Sequence, residues 1–263
     1  MTDQNERPPE SALTDLTGRV ATITGGSRGL GREMAWAFAR LGADVVIASR
    51  KLDACQHLAD EISVATGRRT LAVASHVGKW EECDQLTDAV YAEFGQCDIL
   101  VNNAGMSPLY PSLLEVTEEL YSKVMAVNLQ GPFRLSATFG ARMAANGRGS
   151  IINISSTSAA APSPDEAAYG AAKAGLHALT KSFAREYAPH VRVNCIMPGP
   201  FLTDISHHWS DDVRDRLTGS IPLKRAGHPR EIVGAAVYLA SDASSYTSGA
   251  IIKIDGAMVY PTA

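Results

Sequence analysis

The amino-acid sequence predicts one doubly wound α/β domain, with about seven parallel strands and helices on both faces of the sheet. Three observations carry that expectation. Apolar, β-branched runs begin near Val20, Asp44, Thr70, Ile99, Ser150, Val191 and Ile251, with helix-like stretches between them, and this alternation implies parallel strands joined by right-handed crossovers. Runs such as VVIAS, ILVNN, IINIS and VNCI are almost continuously apolar, as strands buried on both faces are. The 263 residues, 45% apolar and 20% charged, suffice for one large core, and no Pro/Gly/Ser linker or longer internal repeat divides them.

In chain order, Met1 to about Asp15 reads as a flexible tail: it is acidic and carries two prolines where a signal peptide would have a basic start and an apolar run. Residues 16–263 make up the domain. Its first strand ends at Thr24 and leads into a helix whose period shows in Met34, Phe38 and Leu41. A second helical pattern runs from Tyr169 through Leu176, Leu179 and Phe183. After Pro198 the chain passes through FLTDISHHWSDDVRDRLTGSIPLKRAG before helical patterning resumes at Pro229. Residues 200–226 of this insert read as a substrate-side loop or lid, because inserts beyond strand ends commonly wall a binding site. A surface helix with Asp211, Asp212 and Arg214 in water suits the composition equally.

Composition narrows the function classes. With 24 Lys and Arg against 28 Asp and Glu the net charge is −4, and no segment concentrates basic charge, so nucleic acid is not an expected partner. The longest stretches free of charged side chains are 16 residues, Ile99 to Leu114 and Gly149 to Pro164, too short and too polar to span a bilayer. A cytoplasmic location is expected. Cys55, Cys83, Cys97 and Cys195 stand 28, 14 and 98 residues apart, which is neither zinc nor redox-pair spacing. They read as reduced structural thiols, and the adjacent His207 and His208 as part of a polar loop, so no metal is expected.

The run VATITGGSRGLG carries Gly25, Gly26, Gly29 and Gly31 from a strand end into a helix. Backbone without Cβ can approach a pyrophosphate there, and the helix N-terminus offers N–H groups and a positive dipole to the anion. Ser27, Arg28 and Leu30 of the same loop join Gly25, Gly29 and Gly31 as cofactor-binding candidates. About 20 residues further on, an NAD site places an acid at the adenosine ribose and an NADP site a cation near the 2′-phosphate. This chain has Ser49, Arg50 and Lys51. One charge-assisted Arg contact to phosphate is worth roughly 1.5–3 kcal/mol, so NADP(H) is expected over NAD.

Tyr169 has Lys173 four residues later, which puts both side chains on one helical face. A tyrosine with a reference pKa of about 10 needs help worth ~4 kcal/mol to exchange protons near pH 7, and a nearby ammonium supplies part of it. Thirteen residues before Tyr169, at a strand end, stands Ser156, whose hydroxyl can hold a substrate oxygen or serve simply as a turn or capping residue. No GxSxG elbow lies near it, which disfavours a hydrolase.

These features in this order resemble the short-chain dehydrogenase/reductase family over nearly all of Leu16 to Met258. The resemblance is carried by Thr24, Gly25, Gly29 and Gly31, the NNAG run Asn102 to Gly105, Asn128 in MAVNLQGP, Ser156, Tyr169 with Lys173, and Pro198-Gly199 leading to Thr203. It implies a Rossmann-type subunit in which Tyr169 is the general acid/base and Ser156 orients the reacting oxygen. It further implies that Lys173 holds the nicotinamide ribose and lowers the Tyr169 pKa, and that Asn128 seats a relay water. Asn103, Ala104 and Gly105 would lie beside the adenosine, and Pro198, Gly199, Phe201 and Thr203 around the nicotinamide. One departure is visible: where many relatives have Asp-Val after the third strand, this chain has His76-Val77, so the usual carboxylate contact to adenine is lost while a backbone contact from Val77 can remain.

The resemblance also implies a homotetramer, with long helices near Thr117 to Asn146 and Tyr169 to Ala188 packing between subunits. Ala171, Ala172, Ala174, Gly175 and Ala178 permit close approach there, or within one subunit. The expected function is an NADP(H)-dependent oxidoreductase interconverting a small-molecule carbonyl and an alcohol. A 3-oxoacyl-thioester (acyl carrier protein) reductase is the alternative within that class, and a nucleotide-sensing binding protein the alternative outside it. The sensor would not need Tyr169 and Lys173. Met106, Pro108, Leu109, Tyr110, Phe201, Leu202 and Trp209 follow strand ends on the expected site face and suggest a partly apolar substrate pocket.

Overall fold

Seven short, apolar segments form the strands that the sequence pattern predicts. The structure is a computed structural model that describes residues 10–203 and 218–259. The strands are β1 (Val20–Thr24), β2 (Asp44–Ser49), β3 (Thr70–Ala74), β4 (Ile99–Asn102), β5 (Gly149–Ile154), β6 (Val191–Pro198) and β7 (Ile251–Ile254). They make one sheet in the order β3-β2-β1-β4-β5-β6-β7, and every pairing is parallel. The chain leaves β1 toward one edge and β4 toward the other, so strand order reverses between β1 and β4. Loops diverge at such a point and leave a crevice at the carboxyl ends of the strands.

The helices are α1 (Gly29–Arg40), α2 (Leu52–Thr66), α3 (Trp80–Phe94), α4 (Glu118–Met125), α5 (Gly131–Ala145), α6 (Ala167–Glu186) and α7 (Val233–Ala240). Side chains alternating along each strand feed two cores. One packs Ile23, Ile47, Ile99 and Ile152 against Met34 and Phe38 of α1, Leu58 and Ile62 of α2, and Leu239 of α7. The other packs Val46, Leu100, Ile151 and Val193 against Leu86 of α3, Phe139 and Met143 of α5, and Phe183 of α6. Burial on both faces explains why the strands read as continuous apolar runs. The four cysteines are unpaired and buried, and burial pushes the Cys83, Cys97 and Cys195 thiols up to about 12, as expected of inert structural thiols.

The helical stretch expected over Thr117 to Asn146 is interrupted. Residues Ala126–Gln130 form a π turn between α4 and α5, and two features account for it. Pro132 has no N–H with which to continue the ladder at the start of α5. The Asn128 amide donates to the Val124 carbonyl (2.9 Å) and to the Met106 carbonyl (2.8 Å), drawing the turn toward the loop after β4. A single π turn inside an α-helix is a frequent mark of a functional site.

Of the segment expected as a tail, Glu10–Thr14 forms a 3-10 turn. Of the segment expected as a lid, residues 200–203 and 218–226 are described. Its two ends are tied together: Leu202 N–H donates to the Gly227 carbonyl (2.8 Å) and Gly227 N–H to the Pro200 carbonyl (2.9 Å). His207, His208, Trp209, Asp211, Asp212 and Arg214 lie outside the described residues.

Candidate active site

The strand ends beside the β1/β4 crevice bring most of the singled-out residues together. Thr24, the last residue of β1, is the anchor. Its hydroxyl donates to the Val101 carbonyl (3.1 Å) and accepts the N–H groups of Asn103 (3.1 Å) and Ala104 (3.2 Å). The Asn103 amide returns two bonds, to the Thr24 carbonyl (2.9 Å) and the Gly25 carbonyl (3.1 Å). The glycine loop and the NNAG loop are therefore one hydrogen-bonded unit.

Close approach dictates the glycines here. A Cβ on Gly31 would lie 2.4 Å from the Gly25 carbonyl oxygen, and Gly25 itself has φ +61, a region open mainly to glycine. The N-cap residue of the helix α1 that follows, Arg28, makes no side-chain cap, and a helix start of this kind offers N–H groups and a positive dipole to an anion. Ser27 Oγ donates to Ser49 Oγ (3.1 Å), which joins the loop after β1 to the end of β2. Arg28, Arg50 and Lys51 are exposed around that junction. This set of glycine backbone, helix start and exposed cations fits a phosphate-bearing dinucleotide.

Two of the singled-out residues have partners within the chain. His76 N–H donates to Glu82 Oε2 (2.6 Å) and His76 Nδ1 accepts from Gly78 N–H (3.1 Å). The imidazole is thus held by its own turn, with Nδ1 already used. Phe201 is buried in the core against the α1 side of the sheet, so its ring serves packing and its backbone faces Gly227. Pro198 ends β6, Gly199 N–H donates to the Ile254 carbonyl (2.9 Å), and Thr203 lies against Gly29. This strand-end run therefore meets the glycine loop from the opposite side of the crevice.

The second half of the site comes from β5, α6 and the π turn. Lys173, on the second turn of α6, is only 2% exposed. Its ammonium donates to the Ile154 carbonyl at the end of β5 (2.8 Å) and lies 5.7 Å from the centre of the Tyr169 ring. Gly105 opens onto the same place, since a Cβ there would sit 3.0 Å from Asn128 Oδ1 and 3.6 Å from Lys173 Nζ. Burial holds the Lys173 pKa down at about 8.

Burial likewise pushes the Tyr169 phenol up to about 12, against a smaller downward pull from its contact with Ser156 and a further upward push from Glu166. Loss of water around the phenol outweighs the pull of Ser156. Ser156 Oγ accepts the Ser158 N–H (3.1 Å) and bonds Ser158 Oγ (3.1 Å), and Ser158 Oγ donates to Glu166 Oε1 (2.6 Å). Ser158 and Glu166 had no signature in the sequence, because their pairing crosses a turn eight residues long. Of the apolar candidates, Tyr110 is buried with its hydroxyl accepting the Ala168 N–H (3.3 Å), Met106 packs on the α5 side of the sheet, and Leu109 and Leu202 are exposed. Among the described residues no group of His, Cys, Asp or Glu is placed to hold a metal ion, and no helix is long and apolar enough to cross a membrane.

A backbone cradle for a dinucleotide beside Tyr169 and a buried Lys173 is the equipment of a nicotinamide-dependent oxidoreductase. The family model described as Enoyl-(Acyl carrier protein) reductase matches residues 25–258. An uncharacterized oxidoreductase of Mycobacterium tuberculosis is 39% identical over 249 residues, 94% of each chain. A 3-oxoacyl-acyl-carrier-protein reductase of Chlamydia trachomatis is 36% identical over 244 residues, 92% of this chain and 98% of the relative. The solved structure of an NADPH-dependent 3-quinuclidinone reductase from Rhodotorula rubra matches with a TM-score of 0.91 at 32% identity, covering 96% of both chains. The chain belongs to the short-chain dehydrogenase/reductase family, oxidoreductases that act on CH–OH or carbonyl groups with NAD(P).

Proposed function

We propose that the protein is an NADP(H)-dependent reductase or dehydrogenase that interconverts a small-molecule ketone or aldehyde and its alcohol. The observation that carries this reading is the convergence of Ser156, Tyr169 and Lys173 on the strand ends where Gly105 leaves room beside Lys173 Nζ. The bound nicotinamide supplies or takes the hydride, a transfer that needs only aligned donors and excluded water from the protein. Tyr169 gives its proton to the substrate oxygen as the carbonyl carbon is reduced, and takes it back in alcohol oxidation. Ser156 holds that oxygen. Lys173 holds the ribose and, with Asn128, returns a proton to Tyr169. With its pKa raised to about 12, the phenol carries its proton at pH 7.

Arg50, with Arg28 and Lys51 beside the Ser27–Ser49 junction, supports NADP(H) over NAD, as does the NADPH dependence in the name of the Rhodotorula rubra relative. Exposed Tyr121 on α4 and Phe133 on α5 support self-association as a homotetramer, and we place the enzyme in the cytoplasm. Titration with NADPH and NADH, followed by turnover on aldehydes, ketones and 3-oxoacyl thioesters, tests the reading. NADPH bound at least about tenfold more tightly, with oxidation on one substrate class, is the expected result. Equal affinities overturn the NADP assignment, and tight binding without turnover on any class overturns the enzymatic one.

A further inference from the structure

The two loops beside the start of α6 carry negative charge and no positive charge. Residues 103–117 after β4 contain Glu115, residues 155–166 after β5 contain Asp165 and Glu166, and neither stretch holds a Lys, Arg or His. Glu115 accepts from Ser112 Oγ (3.1 Å) and Asp165 from Ser163 Oγ, each exposed and within its own turn. Glu166 is different: half-buried, it takes the N-cap position of α6, one helical turn before Tyr169. Its Oε1 accepts from Ser158 Oγ (2.6 Å), which lies 3.1 Å from Ser156 Oγ, and its Oε2 accepts from Ser107 Oγ (3.4 Å). The carboxylate therefore stands two hydrogen-bond lengths from Ser156 and joins the two loops at the mouth of the site.

A carboxylate offers about four lone-pair sites, and the two serine hydroxyls use two of them. Among the described residues no cation pairs with Glu166. Of the cations after β6, Arg225 donates twice to Glu231 (2.6 and 2.7 Å) and Lys224 donates to the Gly219 carbonyl (3.0 Å). A carboxylate drawn out of water without a counter-charge is costly. Its charge is also felt at the phenol, where it pushes the Tyr169 pKa upward. Substrate seated beside Tyr169 excludes more water, and charges at close range then act more strongly than in bulk water. A positive group on that substrate meets the remaining lone pairs, offsets the cost of burial and cancels the push on Tyr169, whereas a negative group is repelled.

Resting on the reading above, we propose that Glu166 is a substrate-binding residue that selects carbonyl compounds carrying a positively charged nitrogen. The span from Ser156 to the carboxylate corresponds to about three methylene groups between the carbonyl carbon and that nitrogen. Gln at this position keeps an oxygen that accepts from Ser158 and loses the charge, so it separates the two roles of the side chain.

The test uses three ketones that share a methyl ketone and the same methylene chain and differ at the far end: 5-(trimethylammonio)pentan-2-one, the neutral 6,6-dimethylheptan-2-one and the anionic 5-oxohexanoate. At saturating NADPH, each is measured as an inhibitor of the carbonyl compound that wild type turns over fastest, and its own kcat/KM is read where it is reduced. In wild type the cation is expected to bind at least about tenfold more tightly than the neutral ketone, and the carboxylate more weakly than either. In Glu166→Gln the cation and the neutral ketone come within about threefold of each other. Any general loss of activity cancels in that ratio, because the two probes differ only in charge. Glu166→Ala, the second variant, is expected to lose the preference in the same way and decides the matter if Glu166→Gln does not fold. Equal binding of cation and neutral ketone by wild type, preference for the carboxylate, or a tenfold preference for the cation that survives in the variants overturns the proposal. Turnover by wild type with any of these results removes this inference and leaves the function standing; absence of turnover of every carbonyl compound removes both.

Discussion

On the β1–β3 side of the crevice the candidate cofactor face is made of backbone. Gly25 and Gly31 approach through main-chain atoms, α1 begins directly at Gly29, and Thr24 ties the loop to β4. On the β4–β6 side the face is made of side chains whose protonation is set by their surroundings: Lys173 held at about 8, Tyr169 at about 12 and Asn128 wedged into a π turn. One side fails through steric change and is indifferent to pH. The other tolerates small steric changes but depends on charge and burial.

The largest expected effect breaks the side-chain half alone. Tyr169→Phe removes the only proton the phenol can give, and kcat is expected to fall about 10²- to 10⁴-fold while the NADPH dissociation constant, read by fluorescence titration, stays unchanged. A matching loss of NADPH affinity would show that the halves are not separable. The converse is Gly31→Ala, where the new Cβ meets the Gly25 carbonyl at 2.4 Å. Overpacking of this kind costs roughly 1–3 kcal/mol, and here it displaces the loop that faces the cofactor. NADPH and NADH should both weaken, about 10- to 100-fold, with a lower thermal midpoint and no change in the pH profile of the residual activity.

A smaller effect sharpens the backbone half by isolating its one selective charge. Arg50→Ala should weaken NADPH binding about tenfold, the lower end for one phosphate contact because Arg28 and Lys51 remain, and leave NADH within about twofold. Titration of both cofactors against the same variant reads this directly. Parallel loss for both would mean that Arg50 supports the loop rather than the 2′-phosphate.

The same contrast explains what could be read from the sequence. Strand positions were legible because burial on both faces leaves continuous apolar runs, and the end of β1 at Thr24 followed from the glycines after it. The Tyr169/Lys173 spacing was legible because α6 fixes i and i+4 on one face. The break at Ala126–Gln130 was not, since it depends on Asn128 finding the Met106 carbonyl from another loop. Nor was the Ser158–Glu166 bond, which exists only because Pro164–Glu166 turns the chain back. The upward shift of Tyr169 lay equally out of reach: the number of groups packed round a phenol is a property of the fold, while the four-residue spacing that suggested a lowered pKa is local.

The smallest expected effect concerns stability, and it separates the halves by pH alone. Lys173 binds its proton with a pKa of about 8 in the folded chain, against 10.5 in water. Between those values the unfolded chain holds more protons than the folded one, so this residue makes stability rise with pH from about 8 to about 10.5, by up to roughly 3 kcal/mol. The Cys83, Cys97 and Cys195 thiols, raised to about 12, act in the opposite direction: the folded chain keeps their protons after the unfolded chain has lost them, and stability falls above pH ~9. Lys173→Met removes the first contribution and leaves the second. It also strands the Ile154 carbonyl, a cost of about 1–3 kcal/mol that does not depend on pH. Urea midpoints at pH 7 and pH 10 should therefore show the variant losing ground to wild type as pH rises, whatever its standing at pH 7. An equal difference at both values would mean that Lys173 is solvated and charged in the folded chain. Gly31→Ala, measured in the same way, should give that pH-independent difference, because its cost is steric.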